Sequence, residues 1–191
     1  DIGMQYSTTC YIPGDVEASA PFCDFFKVAA FEACADDLLA EYMRVMDGND
    51  KRLVVSLGLG ATRDEVAMTL TTHVSRTLFL RCVSAYPTPF NELNLATLRD
   101  LDGLSDHTPA DDPNTLIVGA LATAAGASWI ERHVRLEDCR PGNPDYAVSL
   151  SAHALTTYVK NVRFAEVVFG SPKVVGAMPS EQPMLRYRAT I

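Results

Sequence analysis

Long apolar runs, positive charge and paired cysteine motifs are all scarce in this sequence of 191 residues. No apolar run reaches the roughly 18 residues of a membrane-spanning helix, so we expect no membrane partner. Lysines and arginines number 16 against 24 aspartates and glutamates, and this acidic balance argues against a nucleic-acid-binding protein. It does not exclude a small anionic substrate, because one pocket can be locally basic. No signal-peptide pattern opens the sequence, which indicates a cytoplasmic protein.

The cysteines are five, an odd number, and none are spaced as CxxC. Free thiols in a reducing compartment are the expected state. The sequence also begins at Asp1, without an initiator methionine. We therefore expect it to be part of a longer polypeptide.

Strand-like runs alternate with helical patterns along most of the sequence. The runs are 3–9, 25–30, 52–58, 77–87, 102–108 and 128–134, and the polar residues near their ends recur every 20 to 29 residues. Helical patterns follow at 36–46, 62–70, 113–127 and 151–170. The pattern over 62–70 begins with Thr62 and Glu65, a capping-box pair. Such alternation predicts a parallel sheet and the α/β class.

Two architectures compete for this pattern, a doubly wound open sheet and a (β/α)8 TIM barrel. The run "SLGLGAT" has Gly58 and Gly60 but lacks the third glycine of a dinucleotide-binding loop. Polar residues at the ends of most strands favour a barrel, although six βα units fall short of the eight found in about 250 residues. We predict a partial barrel over 1–170 and an extended C-terminal linker over 171–191.

Two histidines occupy equivalent places in successive units, His107 in "GLSDHT" and His133 in "SWIERHV". At the ends of adjacent parallel strands they would face one cavity and share a divalent metal, with water and substrate completing the shell. Alternatively, each is a hydrogen-bonded histidine at a strand end. His73 and His153 fall in helical patterns, and we expect both to be exposed.

Charged and hydroxyl side chains near the strand ends complete the candidate site. Lys27 lies in an apolar strand and needs an anionic ligand or a salt bridge, because an unpaired buried ammonium is costly. Glu32 follows that strand and could move protons or position water. Hydroxyls suited to phosphate or sugar oxygens, and a carboxylate suited to a polyol, come from Ser84, Tyr86, Ser105 and Asp145. Each of these also has a purely structural interpretation, such as a bond to a loop carbonyl or a solvated turn.

Several motifs together resemble the sialic acid synthase family, the nonulosonic acid synthases. These are "YSTT", "FKVAAFE", "SLGLG", "RCVSAYPTPFNELNL", "GLSDHT", "GASWIERHV" and "PGNPDYAVSL", in the family's order. The resemblance implies a TIM barrel followed by a small antifreeze-like domain, with strands 3–8 of the barrel present here. It also implies condensation of phosphoenolpyruvate with N-acetylmannosamine or a related hexosamine, and a homodimer.

The resemblance also implies roles for individual residues. His107 and His133 would hold the metal, which is manganese, with magnesium or cobalt as alternatives. Thr8, Lys27, Ser84 and Ser105 would contact phosphoenolpyruvate. Tyr86 and Asp145 would contact the amino sugar, and Glu32 would assist proton or water handling.

The sequence departs from the family pattern at several positions. Ala30 replaces a phosphate-binding serine, Leu57 a threonine, Arg81 a histidine, and Tyr146-Ala147 a histidine-lysine pair. The family's first two strands and antifreeze-like domain have no counterpart in the sequence. Two further hypotheses therefore stay open: a non-catalytic barrel relative that acts as a binding or scaffold subunit, and a metal-dependent aldolase or hydrolase.

Overall fold

Five parallel strands form the main sheet of the molecule, which a computed structural model describes over residues 3–170 and 176–188. The strands are β1 (Phe26–Val28), β2 (Leu53–Leu57), β3 (Thr77–Cys82), β4 (Gly103–Asp106) and β5 (Trp129–Arg132). Two short strands, β6 (Val134–Arg135) and β7 (Leu150–Ser151), form a separate parallel pair.

The order of the strands in the sheet follows their order in the chain, β1-β2-β3-β4-β5. A doubly wound sheet instead reverses its strand order at a switch point. The α/β class is confirmed, and the sheet is a parallel half-barrel. The run "SLGLGAT" at the end of β2 is therefore not the phosphate-binding loop of a dinucleotide-binding fold.

The prediction of a strand over residues 3–9 is wrong. Only Thr9 reaches the sheet, through an isolated parallel bridge to Lys27. Upstream of it, the Tyr6 amide donates to Asp24 Oδ2 at 2.7 Å and the Asp24 amide donates to the Tyr6 carbonyl at 2.7 Å. Residues 3–6 are exposed, so this segment has no buried face to hold it as a strand.

The helices are α1 (Pro13–Ser19), α2 (Asp36–Met46), α3 (Arg63–Leu70), α4 (Thr115–Ala124) and α5 (Ala152–Phe169). The 3-10 helices are Ala20–Phe22, Thr71–Arg76, Phe90–Glu92, Leu95–Asp100, Tyr146–Val148 and Pro179–Tyr187. The predicted capping box of α3 is present, with Thr62 and Glu65 each bonding the other's backbone amide. Helix α5 ends at Gly170, whose φ of 64° lies in the region that favours glycine.

Two hydrophobic clusters cover the outer face of the sheet. The larger joins β1–β3 to α1–α3, with Phe26, Leu39, Tyr42 and Phe79 all fully buried. The smaller places Leu104 of β4 against α4 and the 3-10 helix Leu95–Asp100. This packing leaves the opposite face of each strand free to carry polar groups.

The predicted linker over 171–191 is described only in part. Residues 171–175 and 189–191 lie outside the described residues. Within 176–188 every residue is exposed, and Pro179–Tyr187 forms a 3-10 helix and not an extended segment. None of the described helices combines the length and the apolar composition that crossing a membrane requires.

Candidate active site

Polar side chains from neighbouring strands converge on one cavity of about 430 Å³ at the C-terminal edge of the sheet. Cys82, Ser105 and Glu131 are register partners on β3, β4 and β5. Alternate residues of a strand point to the same face, so His107 and His133, each two positions further along, line the same cavity. Barrel enzymes build their active sites at this edge.

Lys27 is the charged centre of a hydrogen-bonded group on the cavity wall. Its ammonium lies 3.4 Å from Glu131 Oε1 and donates to Ser56 Oγ and to the Val28 carbonyl, both at 2.9 Å. Ser105 donates to Glu131 Oε2 at 2.6 Å, and Ser56 donates to the same oxygen at 3.2 Å. The anion that a buried lysine needs is therefore supplied by the chain itself.

The Glu131 carboxyl is held in its ionised form. Burial alone would raise the pKa of Glu131, but the charge of Lys27 and the hydrogen bond from Ser105 outweigh burial and lower the pKa below its ordinary value of 4.5. Lys27 carries the only ammonium or guanidinium among the described residues that line the cavity. An anionic ligand must therefore compete with Glu131 for Lys27.

The two predicted histidines lie side by side in the cavity. Their ring centroids are 5.1 Å apart. Tyr86 stacks on His107 at 4.4 Å and meets His133 edge-on at 5.6 Å. Asp145 Oδ2 lies 3.8 Å from His133 Nδ1. The fold thus brings together the pair of histidines and the two residues that were predicted to bind the sugar.

The hydrogen bonds of His107 define how its ring faces the cavity. Nδ1 lies 3.2 Å from the Val83 carbonyl, which can only accept, so this nitrogen carries the proton. In the neutral ring Nε2 is then an acceptor, and the Tyr86 hydroxyl donates to it at 3.2 Å. Burial lowers the pKa of His107 below its ordinary value of 6.5, while burial raises that of Tyr86 to about 12.

The pair of histidines fits a divalent metal of the kind that the resemblance implies. A metal-binding histidine commonly donates its other ring N–H to a carbonyl, as His107 does to Val83. Within residues 3–170 and 176–188, no group of three or more histidine, cysteine, aspartate or glutamate side chains is placed to hold a metal. The protein would therefore supply two ligands, and water or substrate oxygens would complete the shell.

Most of the predicted site residues line this cavity, and two do not. The lining includes Lys27, Ser84, Tyr86, Ser105, His107, His133 and Asp145. Thr8 is outside the lining, where its neighbour Thr9 stands instead. Glu32 is also outside the lining. Its Oε2 is buried and has no hydrogen-bond partner among the described residues.

We expect a Glu32→Gln variant to gain stability over the wild type as pH rises. Burial raises the pKa of Glu32 above its ordinary value of 4.5, opposed in part by a backbone hydrogen bond and by Lys27. The folded protein therefore binds the proton more tightly than the unfolded chain, so wild-type stability falls as pH rises from about 4.5 through the folded pKa. Urea unfolding at pH 4 and pH 7 tests this, and equal differences at both pH values would contradict it.

The departures from the family pattern fall on both sides of the sheet. Ala30 lines the cavity and contributes no hydroxyl. Leu57 is buried in the larger hydrophobic cluster. Arg81 donates to the backbone carbonyls of Leu93 and Glu92 at 3.3 and 3.4 Å. Of these three substitutions, only Ala30 changes the chemistry of the cavity.

Sequence reasoning missed several polar residues of the site and misplaced one histidine. Ser56, Cys82 and Glu131 line the cavity without having been assigned a role there. The signal was available for Glu131, which stands two residues before His133 and so shares its face. His73 is buried and not exposed as predicted, and its Nε2 lies 2.9 Å from Asp47 Oδ1.

Comparisons with known proteins agree with the resemblance read from the motifs. A sequence model of the NeuB family matches residues 1–174. The chain is 31% identical over 159 residues to a pseudaminic acid synthase of Helicobacter pylori, covering 78% of this chain and 44% of that one. It is 28% identical over 153 residues to the human N-acetylneuraminate-9-phosphate synthase, covering 78% of this chain and 41% of that one. The chain thus spans less than half the length of either relative.

The half-barrel also has a counterpart among solved structures. An N-acetylneuraminic acid synthetase of Leptospira borgpetersenii superposes with a TM-score of 0.76 at 22% identity, covering 94% of this chain and 63% of that one. At this identity the likeness concerns the fold.

Proposed function

Because the chain belongs to the NeuB family, we propose that its cavity condenses phosphoenolpyruvate with an N-acetylated hexosamine to give a sialic-acid-type nonulosonic acid and phosphate. The names of the relatives, pseudaminic acid synthase and N-acetylneuraminate-9-phosphate synthase, support this class of reaction. The observation that carries the proposal is a single cavity that joins a lysine, several hydroxyls and a pair of histidines.

Phosphoenolpyruvate would bind around Lys27. Its phosphate and carboxylate oxygens would take the place of Glu131 beside the ammonium, and the Ser56, Ser84 and Ser105 hydroxyls would donate to them. Fixed donors of this kind hold an anion in line for reaction at little reorganisation cost. Ala30 contributes no donor, so this anion site has one hydroxyl fewer than the family pattern.

The hexosamine would bind at the other end of the cavity. Tyr86 and Asp145 would contact its hydroxyls, and His107 and His133 would hold a divalent metal, manganese in our proposal. When bound, such a metal polarises an aldehyde as a Lewis acid. The Tyr86 ring stacked on His107 would fix the orientation of that imidazole against the sugar.

The reaction balances with water as the third reactant. The methylene carbon of phosphoenolpyruvate forms a bond to the aldehyde carbon, whose oxygen takes up a proton and becomes a hydroxyl. Water then adds to the carbon that bears the phosphate ester and loses one proton. The C–O bond to phosphate breaks as that carbon becomes a ketone, and the remaining hydroxyl proton leaves with the phosphate. Glu131, which also lines the cavity, would accept the proton that water loses on addition. The role predicted for Glu32 stays a prediction, since that residue lies outside the lining.

Isotope labelling of the bridging oxygen tests the proposed reaction. With ¹⁸O between the phosphorus and the enol carbon, we expect phosphate to be released only when N-acetylmannosamine or a related hexosamine is present, and to carry the label. Attack of water on phosphorus, as in a phosphatase, would leave the label in pyruvate and would not need the sugar. Sugar-independent release would therefore contradict the proposal.

A non-catalytic relative is the second candidate, and Ala30 in the anion site is the observation that favours it. Such a protein would bind phosphoenolpyruvate or the sugar without turnover. Retained binding with no phosphate release, across a panel of N-acetylated hexosamines and divalent metals, would support this candidate.

A further inference from the structure

A buried ion pair lies directly behind the two histidines, on the opposite face of β4 and β5. Asp106 precedes His107, Arg132 precedes His133, and the two are register partners across the strands. Arg132 Nη1 lies 2.8 Å from Asp106 Oδ1, with side-chain exposures of 3% and 0%. A desolvated pair this close cannot separate without leaving an unpaired buried charge.

The guanidinium of Arg132 also fixes the backbone on both sides of His107. Nη1 donates to the Asp106 carbonyl at 3.0 Å, and Nη2 donates to the Thr108 carbonyl at 2.8 Å. Because Arg132 itself precedes His133, the same side chain links the two backbone segments that present the imidazoles. The separation of these two segments is therefore fixed by Arg132, on the face of the strands opposite the cavity.

Helix α5 supplies the second anchor of Asp106. The Tyr158 hydroxyl donates to Asp106 Oδ2 at 2.8 Å, while the Thr108 hydroxyl and amide donate to Oδ1 at 2.7 and 2.9 Å. A Cβ at Gly119 would lie 2.6 Å from the Tyr158 ring, so α4 leaves the space that this tyrosine occupies. Both carboxylate oxygens of Asp106 thus have donors.

We propose that Arg132, Asp106 and Tyr158 are positioning residues that hold His107 and His133 at the spacing a shared divalent metal requires. This inference rests on the proposed function, since the metal is part of it. None of the three side chains lines the cavity, so they act through the strand backbone. Outer groups that orient metal ligands in this way commonly change metal affinity by about 10–100-fold when they are replaced.

Paired tyrosine-to-phenylalanine variants test the proposal. Tyr42 is the matched control, because it is equally buried and its hydroxyl donates to the Lys27 carbonyl at 2.9 Å, in the larger hydrophobic cluster. We expect Tyr158→Phe to weaken Mn²⁺ binding by about tenfold. The EPR signal of free Mn²⁺ measures this binding. Tyr42→Phe should leave the affinity within about twofold. Equal losses in both variants, or none in Tyr158→Phe, would overturn the positioning role.

Imidazole NMR of the metal-free proteins separates this inference from the proposed function. We expect His107 to hold the proton on Nδ1 in the wild type and in Tyr42→Phe, and Tyr158→Phe to mix the two tautomers as the strand ends loosen. If the wild type bound no Mn²⁺, the proposed metal site would be wrong, and these spectra would still show whether Tyr158 positions His107. Identical ¹⁵N shifts for His107 in all three proteins would overturn it.

Discussion

Replacing Arg132 with methionine is expected to lower the free energy of unfolding by about 3–5 kcal/mol, because removing one partner of a buried ion pair leaves the other charge uncompensated. The charge left behind is Asp106, which is completely buried. The same substitution also removes the donors to two backbone carbonyls next to His107. Denaturation by guanidinium chloride measures the loss.

An arginine on the surface of α5 provides the control for this variant. Arg163 pairs with Glu166 at 2.9 Å, with a side-chain exposure of 71%. An exposed pair of this kind contributes about 0–1 kcal/mol, so Arg163→Met should leave stability nearly unchanged. A loss in Arg132→Met no larger than that in Arg163→Met would show that the ion pair behind the histidines does not stabilise the fold.

Replacing Lys27 with methionine is expected to weaken phosphoenolpyruvate binding by about 2–5 kcal/mol, or roughly 30- to 4,000-fold. Lys27 is the one ammonium on the described lining of the cavity, so no other lysine or arginine there replaces it. Glu131 would also be left without its partner at 3.4 Å and would repel the ligand. Isothermal titration calorimetry with phosphoenolpyruvate measures the change.

Two further variants test whether the loss of phosphoenolpyruvate affinity in Lys27→Met arises in the cavity. Lys51 lines a separate depression together with Asp50, Arg52 and Trp129, near the start of the strands, and Lys51→Met should bind as the wild type does. Glu131→Gln removes the internal competitor for Lys27 and should bind phosphoenolpyruvate at least as tightly as the wild type. An equal loss of phosphoenolpyruvate affinity in Lys27→Met and Lys51→Met would show that the anion does not bind at Lys27.

The sequence predicted those parts of the fold that depend on local periodicity. The apolar residues of α2 recur on one face, and Leu38, Leu39, Tyr42 and Met46 are buried there. The capping pair of α3 is recognisable from two residues alone. The segment 3–9 has a similar strand-like pattern but forms only the bridge at Thr9, because strand formation depends on a neighbour that local sequence does not reveal.

The residues of the candidate site likewise fall into those that the local sequence predicts and those that depend on distant contacts. His107 and His133 could be found because each ends a recognisable strand in successive units. The partner of Lys27 could not, since Glu131 is 104 residues away and their contact depends on how the sheet curves. The pair of Asp106 and Arg132 was missed because both face away from the cavity, where only the register of β4 against β5 brings them together.

The most direct test of the account is metal-dependent phosphate release from phosphoenolpyruvate and N-acetylmannosamine. His107→Ala is the test variant, and His153→Ala, an exposed histidine on α5, is the control. We predict release by the wild type and His153→Ala that requires Mn²⁺, and its loss in His107→Ala. Release that is unaffected by His107→Ala, or that proceeds equally without metal, would contradict the assignment of the two histidines. An inactive wild type that folds and binds Mn²⁺ would instead identify a non-catalytic relative.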